Sequence, residues 1–222
     1  MIGEILPDAV ACVGRTDDVT VPDLFPEEEA LLERAVLKRR REFTTARHCA
    51  RRALAELGVA PAPILRDPKG APGWPDGIAG SMTHCDGFRA AAVARKTDIL
   101  TLGIDAEPHE ELPDGVREVI TAGDELALLA KLSTARPEVH WGRLLFSAKE
   151  SVYKTWYPVT GRWLDFTEAE LDIDADRGTF TARLLVPGPE LPGYGAVSEF
   201  AGRWAIRDGI VMTAIAVPVR PA

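Results

Sequence analysis

Short apolar runs bounded by Gly, Pro and Asp recur along this chain, interrupted by two long stretches where apolar residues return every three or four positions. Period two marks strands and period 3.6 marks helices. Residues 9–13 predict a first strand. A helical pattern opens at Pro26, whose fixed φ suits a first turn, and Glu27, Glu28 and Glu29 follow where the helix dipole favours negative charge. Its apolar positions are Leu31, Leu32, Ala35 and Val36. Phe43, Ala46, Ala50, Ala53, Leu54 and Leu57 continue at helical spacing to Gly58, a C-terminal stop. One helix, or two separated around residues 38–41, satisfies this spacing equally.

Residues 60–77 form a Pro/Gly-rich loop without period. Strands are predicted at 78–83, 88–95 and 99–107, with Asp86-Gly87 as the hairpin turn between the first two. A short helix is expected at 124–132. From Val139 to Tyr157, Trp141, Leu144, Leu145, Ala148, Val152 and Trp156 share one helical side, and Pro158 is the expected stop. Further strands follow at 169–173, 179–186, 199–206 and 210–217. The order strand, long helix, strands thus occurs twice with a changeover near Gly103, which argues for an α+β fold with helices packed on antiparallel sheets.

A chain of 222 residues with 46% apolar residues can bury a substantial core. The net charge of -8 argues against general nucleic-acid binding. Against that acidic background Lys38, Arg39, Arg40, Arg41, Arg47, Arg51 and Arg52 crowd together, which points to a compact anionic ligand. Three unpaired cysteines argue against a disulfide framework and for a reducing, cytoplasmic setting. No stretch has the length of apolar sequence that a membrane span requires, and no secretory leader is recognisable.

Asp105 and Glu107 are two apart on a predicted strand, so both carboxylates leave the same face. Glu150 and Lys154 are four apart on a predicted helix and share a side. Separately these are a solvated strand end and a common surface ion pair. Together, if the two elements pack, they present three carboxylates and a lysine to one hard cation such as Mg²⁺, which keeps open positions for water and phosphate. The four histidines are scattered, so no zinc spacing exists, and no glycine-rich phosphate loop is present. Phosphate binding falls to side chains: on a helix Arg40, Arg47 and Arg51 lie in one narrow sector with Arg39 beside it. Arg66, Lys69 and His84 are weaker candidates.

Gly103-Ile104-Asp105-Ala106-Glu107 and Phe146-Ser147-Ala148-Lys149-Glu150-Ser151-Val152-Tyr153-Lys154 resemble the two signature stretches of the 4′-phosphopantetheinyl transferases of the surfactin-synthetase-activating type. The upstream stretches 39–54, 69–77 and 80–85 resemble further elements of that family, in order. The resemblance runs from about residue 35 to 165. It implies a pseudo-dimer of two similar halves, 1–103 and 104–222, each a long helix on an antiparallel sheet, with the site between them. It further implies coenzyme A as donor, Mg²⁺ (or Mn²⁺) on Asp105, Glu107 and Glu150, and acyl or peptidyl carrier proteins as partners. By position, Arg39 and Arg47 would meet coenzyme A phosphates, with Arg40 as the alternative if the helix phase differs. Arg66, Lys69, Thr83 and His84 would border the adenosine 3′-phosphate, and Lys149 and Lys154 the pyrophosphate. Arg66 stands where relatives carry lysine, which keeps the charge.

The implied reaction is attack by a carrier serine on the β-phosphate of coenzyme A, releasing adenosine 3′,5′-bisphosphate, with Glu150 as general base and Lys154 assisting the departing phosphate. Arg51 and Arg52, with Val116, Ile120, Leu126 and Leu129, are expected to form the docking face for an acidic carrier. A monomer without nucleic-acid or membrane partners is expected. Two rivals use parts of the same pattern: a Mg²⁺-dependent nuclease, and a nucleotide- or nucleic-acid-binding module on the basic helix, whose binding would depend steeply on salt.

Overall fold

The computed structural model describes residues 1–20 and 23–220. In chain order the elements are β1 (Ala11–Arg15), α1 (Pro26–Ala30), α2 (Leu37–Glu56), β2 (Ile78–Cys85), β3 (Phe88–Arg95), β4 (Ile99–Pro108), α3 (Val116–Ile120), α4 (Glu125–Ala135), α5 (Trp141–Thr160), β5 (Ala169–Asp174), β6 (Thr179–Leu184), β7 (Glu190–Leu191), β8 (Gly195–Ala196), β9 (Glu199–Arg207) and β10 (Ile210–Pro218). One antiparallel sheet runs β1-β3-β2 and a second β4-β10-β9-β6-β5, while β7 and β8 form a small separate pair. The α+β expectation of two similar halves holds: α2 lies on the first sheet and α5 on the second.

Packing explains why the apolar patterns differ in type. Cys49, Ala50, Ala53 and Leu54 of α2 cover Ala91 and Val93 of β3. The opposite face of β3, with Phe88, Ala90, Ala92 and Ala94, shares a core with Ile104 of β4 and Met212 of β10. Burial on both faces gives β3 its continuous apolar run. In the second half, Leu144, Leu145, Ala148, Val152 and Trp156 of α5 pack on Leu171, Phe180, Phe200 and Val211. The whole of β4 hydrogen-bonds to β10, from Ile99 to Pro108. Its other flank meets β2 through side chains: Ser81 Oγ accepts from Ile104 N at 3.1 Å and Thr83 Oγ1 from Ala106 N at 3.0 Å. Two hydroxyls on alternate residues thus satisfy strand donors that no backbone partner reaches.

Two helix boundaries differ from the sequence pattern. The segment from Pro26 is helical only to Ala30, and α2 begins at Leu37. Glu28 is fully buried, and its carboxylate accepts from Phe25 N, Ile64 N and Arg51 Nη1. Arg40 Nη1 binds the Leu32 carbonyl at 2.6 Å in the intervening turn. Of the residues taken as the helix's apolar side, Val36 is exposed, so their spacing did not describe one buried stripe. The second difference is α5, which passes Pro158 to Thr160. A proline so near the end forfeits one bond, to the carbonyl four residues back. Gly161, at φ 63°, then closes the helix, its N–H bonding the Tyr157 carbonyl at 2.8 Å.

Candidate active site between the two halves

The alternation of β4 turns Thr101, Gly103, Asp105 and Glu107 toward α5. Thr101 Oγ1 donates to the Thr155 carbonyl at 2.8 Å. A Cβ on Gly103 would lie 2.2 Å from the Ser151 carbonyl oxygen and 2.5 Å from Thr155 Oγ1, so only glycine admits the helix this close. Ser147 and Ser151 are fully buried, and both hydroxyls reach Thr213 Oγ1 on β10, at 3.0 and 2.7 Å. These small residues seat α5 against the sheet and fix its outward-facing residues. In that seating Lys154 Nζ lies 2.6 Å from Asp105 Oδ1.

Asp105 is 4% exposed. Its Oδ1 accepts from Lys154 and, at 3.2 Å, from Thr83 Oγ1, whereas Oδ2 is buried with no partner among the described residues. Burial, reinforced by the Asp105 charge, pushes Glu107 up to about 7, against the pull of Arg143, whose Nη1 is 3.1 Å from Oε2. Burial raises Glu150 as well; Lys154 offsets part of this and Asp105 adds to it. Burial alone would lower Lys154, but Asp105 and Glu150 overcome it and hold the ammonium above its usual range.

An orphaned carboxylate oxygen, with two further carboxylates whose burial disfavours their charge, fits a hard dication that brings compensating charge. Among the described residues no three His, Cys, Asp or Glu side chains are gathered closely enough to hold a metal ion, so Asp105, Glu107 and Glu150 are not drawn together as a ready-made metal site.

Beside this centre a cavity of about 680 Å³ extends from Arg39 and Arg47 on α2, past Arg66 and Lys69 in the 60–77 loop, to Glu150 and Lys154 on α5. Its size suits a cofactor-sized ligand. Arg39 Nη1 hydrogen-bonds His84 Nε2. Burial, with Arg39, Lys154, Arg89 and Arg47 nearby, lowers His84 to about 4, so the imidazole is neutral and accepts. Arg47 is itself buried and lowered to about 10, first by that burial. Its Nε binds the Ile64 carbonyl at 3.0 Å and its guanidinium lies over the Phe43 ring. That leaves a desolvated, fixed cation facing the cavity.

The structure places six expected residues elsewhere. Arg40 spends its guanidinium on the Leu32 carbonyl and does not line the cavity. Lys149, buried, binds the carbonyls of Phe166 and Ala169 at 2.7 and 2.8 Å and Glu125 at 2.8 Å, so it ties α5 to the following loop rather than facing phosphate. Arg51 is held by Asp23 and Glu28 at 3.0 Å each, which removes it from a docking face. Ile120 and Leu129 are core residues, although Val119 and Leu126 beside them are exposed. Thr83 does not line the cavity but orients Asp105 from behind.

Residues not anticipated include Asp67, Lys96, Tyr153 and Tyr157, which line the cavity, and Arg143 on Glu107. Arg143 stands nearly two helical turns before Glu150, but no spacing rule links it to a strand residue 36 positions away. Only the fold does.

Residues 27–94 match the 4′-phosphopantetheinyl transferase N-terminal domain family, and residues 101–206 the 4′-phosphopantetheinyl transferase superfamily. The chain is 58% identical over 220 residues to the 4′-phosphopantetheinyl transferase Svp of Streptomyces mobaraensis, covering 98% of this chain and 89% of that protein. It is 48% identical over 195 residues to PptT of Mycobacterium tuberculosis, covering 86% and 85%. With Npt of Nocardia iowensis it shares 47% identity over 223 residues, covering 97% and 99%. Both of these also carry the name 4′-phosphopantetheinyl transferase. Among the described residues no helix is long and apolar enough to cross a membrane.

Proposed function

Since the chain belongs to the 4′-phosphopantetheinyl transferase superfamily, we propose that it moves the 4′-phosphopantetheine arm of coenzyme A onto the serine hydroxyl of an acyl or peptidyl carrier protein, releasing adenosine 3′,5′-bisphosphate. The observation that carries this reading is Asp105: buried, orphaned at one oxygen, and paired through the other with Lys154, which lines a cavity bordered by cations from both halves.

The geometry supports the following roles. Arg39, Arg47, Arg66 and Lys69 supply positive charge along the cavity for the nucleotide phosphates. Asp105, Glu107 and Glu150 would hold Mg²⁺ or Mn²⁺, which when bound neutralises pyrophosphate charge and polarises its oxygens. The serine oxygen forms a bond to the β-phosphorus as the bond to the departing nucleotide phosphate breaks. Glu150, made more basic by burial, takes the serine proton directly or across a water. Lys154 keeps its proton and can donate a hydrogen bond to the departing phosphate. His84, neutral, orients Arg39.

The test is intact-mass spectrometry of apo-carrier proteins incubated with the chain, coenzyme A and Mg²⁺. Wild type should add one phosphopantetheine per carrier. Glu150→Gln should lower the rate by about a thousandfold while coenzyme A still binds. Unchanged loading by that variant would remove Glu150 from the chemistry, and no loading of any carrier by wild type would overturn the assignment.

A further inference from the structure

The loop at residues 65–73 is a small finger at the cavity rim, and one carboxylate organises it. Asp67 N donates to the Ala71 carbonyl at 2.9 Å, Gly73 N to the Leu65 carbonyl at 2.7 Å, and Arg66 bridges Pro72. Asp67 Oδ1 accepts from Lys69 N at 2.8 Å and Ala71 N at 2.9 Å, closing the turn from inside. The other oxygen, Oδ2, is left to point out of the finger. It accepts from Tyr157 Oη on α5 at 2.7 Å, a contact between residues 90 apart in sequence and in different halves. The bond is strong enough to hold Asp67 below its ordinary carboxyl range and to raise the Tyr157 phenol. Tyr153 packs beside Tyr157, ring centroids 5.7 Å apart, which restricts the ring that carries the hydroxyl.

The finger carries Arg66 and Lys69 on either side of Asp67. Its root is fastened to the first half, where Glu28 accepts from Ile64 N. Without a contact at the tip, the finger would be free to swing about that root. With it, the spacing between the finger's cations and Lys154 on α5 is fixed across the cavity. The electrostatic term for a phosphate falls off with distance and is screened by water in an open cleft, so a fixed spacing selects ligands whose phosphates match it.

We infer that Tyr157 and Asp67 form a tether that makes the site selective for donors bearing a 3′-phosphate, by holding Arg66 and Lys69 at one distance from the pyrophosphate end. Tyr157 touches no reacting atom in this scheme; it is a positioning residue. The inference rests on coenzyme A being the donor and on its 3′-phosphate lying at the finger.

Calorimetric titration with coenzyme A and with dephospho-coenzyme A, both with Mg²⁺, tests it without a carrier protein. Wild type should prefer coenzyme A. Tyr157→Phe should cut that preference about tenfold, as expected for losing a hydrogen bond to a charged group, because only the 3′-phosphate contact depends on the tether. Arg66→Gln should cut it comparably. Asp67→Asn should retain much of the preference, since its amide can keep the turn with Oδ1 and donate to Tyr157 Oη through Nδ2. A merely structural role would weaken both ligands equally in Tyr157→Phe and leave their ratio alone, and that result refutes the tether. If Arg66→Gln leaves the ratio intact, the 3′-phosphate does not lie at the finger and the proposal falls with that placement. If wild type binds neither nucleotide, the donor assignment itself is what fails.

Discussion

Gly103→Ala probes the contact on which the geometry of the centre depends. The added methyl would sit 2.2 Å from the Ser151 carbonyl oxygen, 2.5 Å from Thr155 Oγ1 and 2.8 Å from Thr155 N. Two of these atoms are backbone of α5, so no rotamer change relieves the clash. A carbon–oxygen contact relaxes only near 3.2 Å, so β4 and α5 must part by about 1 Å. Overpacking of this kind costs about 3 kcal/mol, at the upper end of what cores tolerate. For a chain of this length that lowers the melting temperature by about 6–12 °C. The same movement carries Glu150 and Lys154 away from Asp105, and a 1 Å misplacement of catalytic groups costs about a hundredfold in rate. Thermal unfolding, and carrier loading measured well below the variant's melting temperature, separate the two effects. A variant that melts within 2 °C of wild type and loads carriers at full rate would show that α5 does not depend on this glycine, and the account of the first signature would be wrong.

Lys149→Met should destabilise the chain by about 3–5 kcal/mol, because Glu125 would be left as an unpaired buried charge; adding Glu125→Gln should recover part of the loss in a urea double-mutant cycle, and simple additivity would argue against the pair. His84 is depressed to about 4 while an unfolded histidine titrates near 6.5. The unfolded chain therefore takes up the proton first, so this contribution to stability is complete above about pH 6.5 and is lost as pH falls toward 4. Urea midpoints at pH 7 and pH 5 should drop more for wild type than for His84→Gln, and equal drops would contradict the depressed value. Arg51→Glu should unfold or strongly destabilise the protein by breaking the Asp23 and Glu28 contacts, whereas exposed Arg52→Glu should leave the unfolding midpoint nearly unchanged; similar midpoints for both would refute the buried role of Arg51.

Where a side chain's placement follows from its neighbours along the chain, it was legible. Asp105 and Glu107 share a strand face because strands alternate, and Glu150 and Lys154 share a helix side because helices turn every 3.6 residues. The hairpin at Asp86-Gly87 followed from turn chemistry. Illegible were the partners that long, flexible cations choose. Arg40, Arg47 and Arg51 occupy one sector of α2, yet one takes a carbonyl in a turn, one faces the cavity and one pairs with buried Glu28 and exposed Asp23. Lys149 lies within a signature stretch and binds structure instead of phosphate. The pattern from Pro26 to Val36 failed similarly, since a buried Glu28 outweighed helical spacing.

The sequence by itself determined the two long helices, the main strands, the shared faces of Asp105 with Glu107 and of Glu150 with Lys154, and the family. Local periodicity and side-chain type are properties of the chain alone. Only the tertiary structure decided that Asp105 meets Lys154, that Arg143 holds Glu107, and that Tyr157 reaches Asp67 across the cavity. Those pairings join residues 36 to 90 positions apart, so no local rule contains them; they exist because packing two halves over a shared core brings β4, α5 and the finger together, and burial then leaves each charge to find whichever partner that packing supplies.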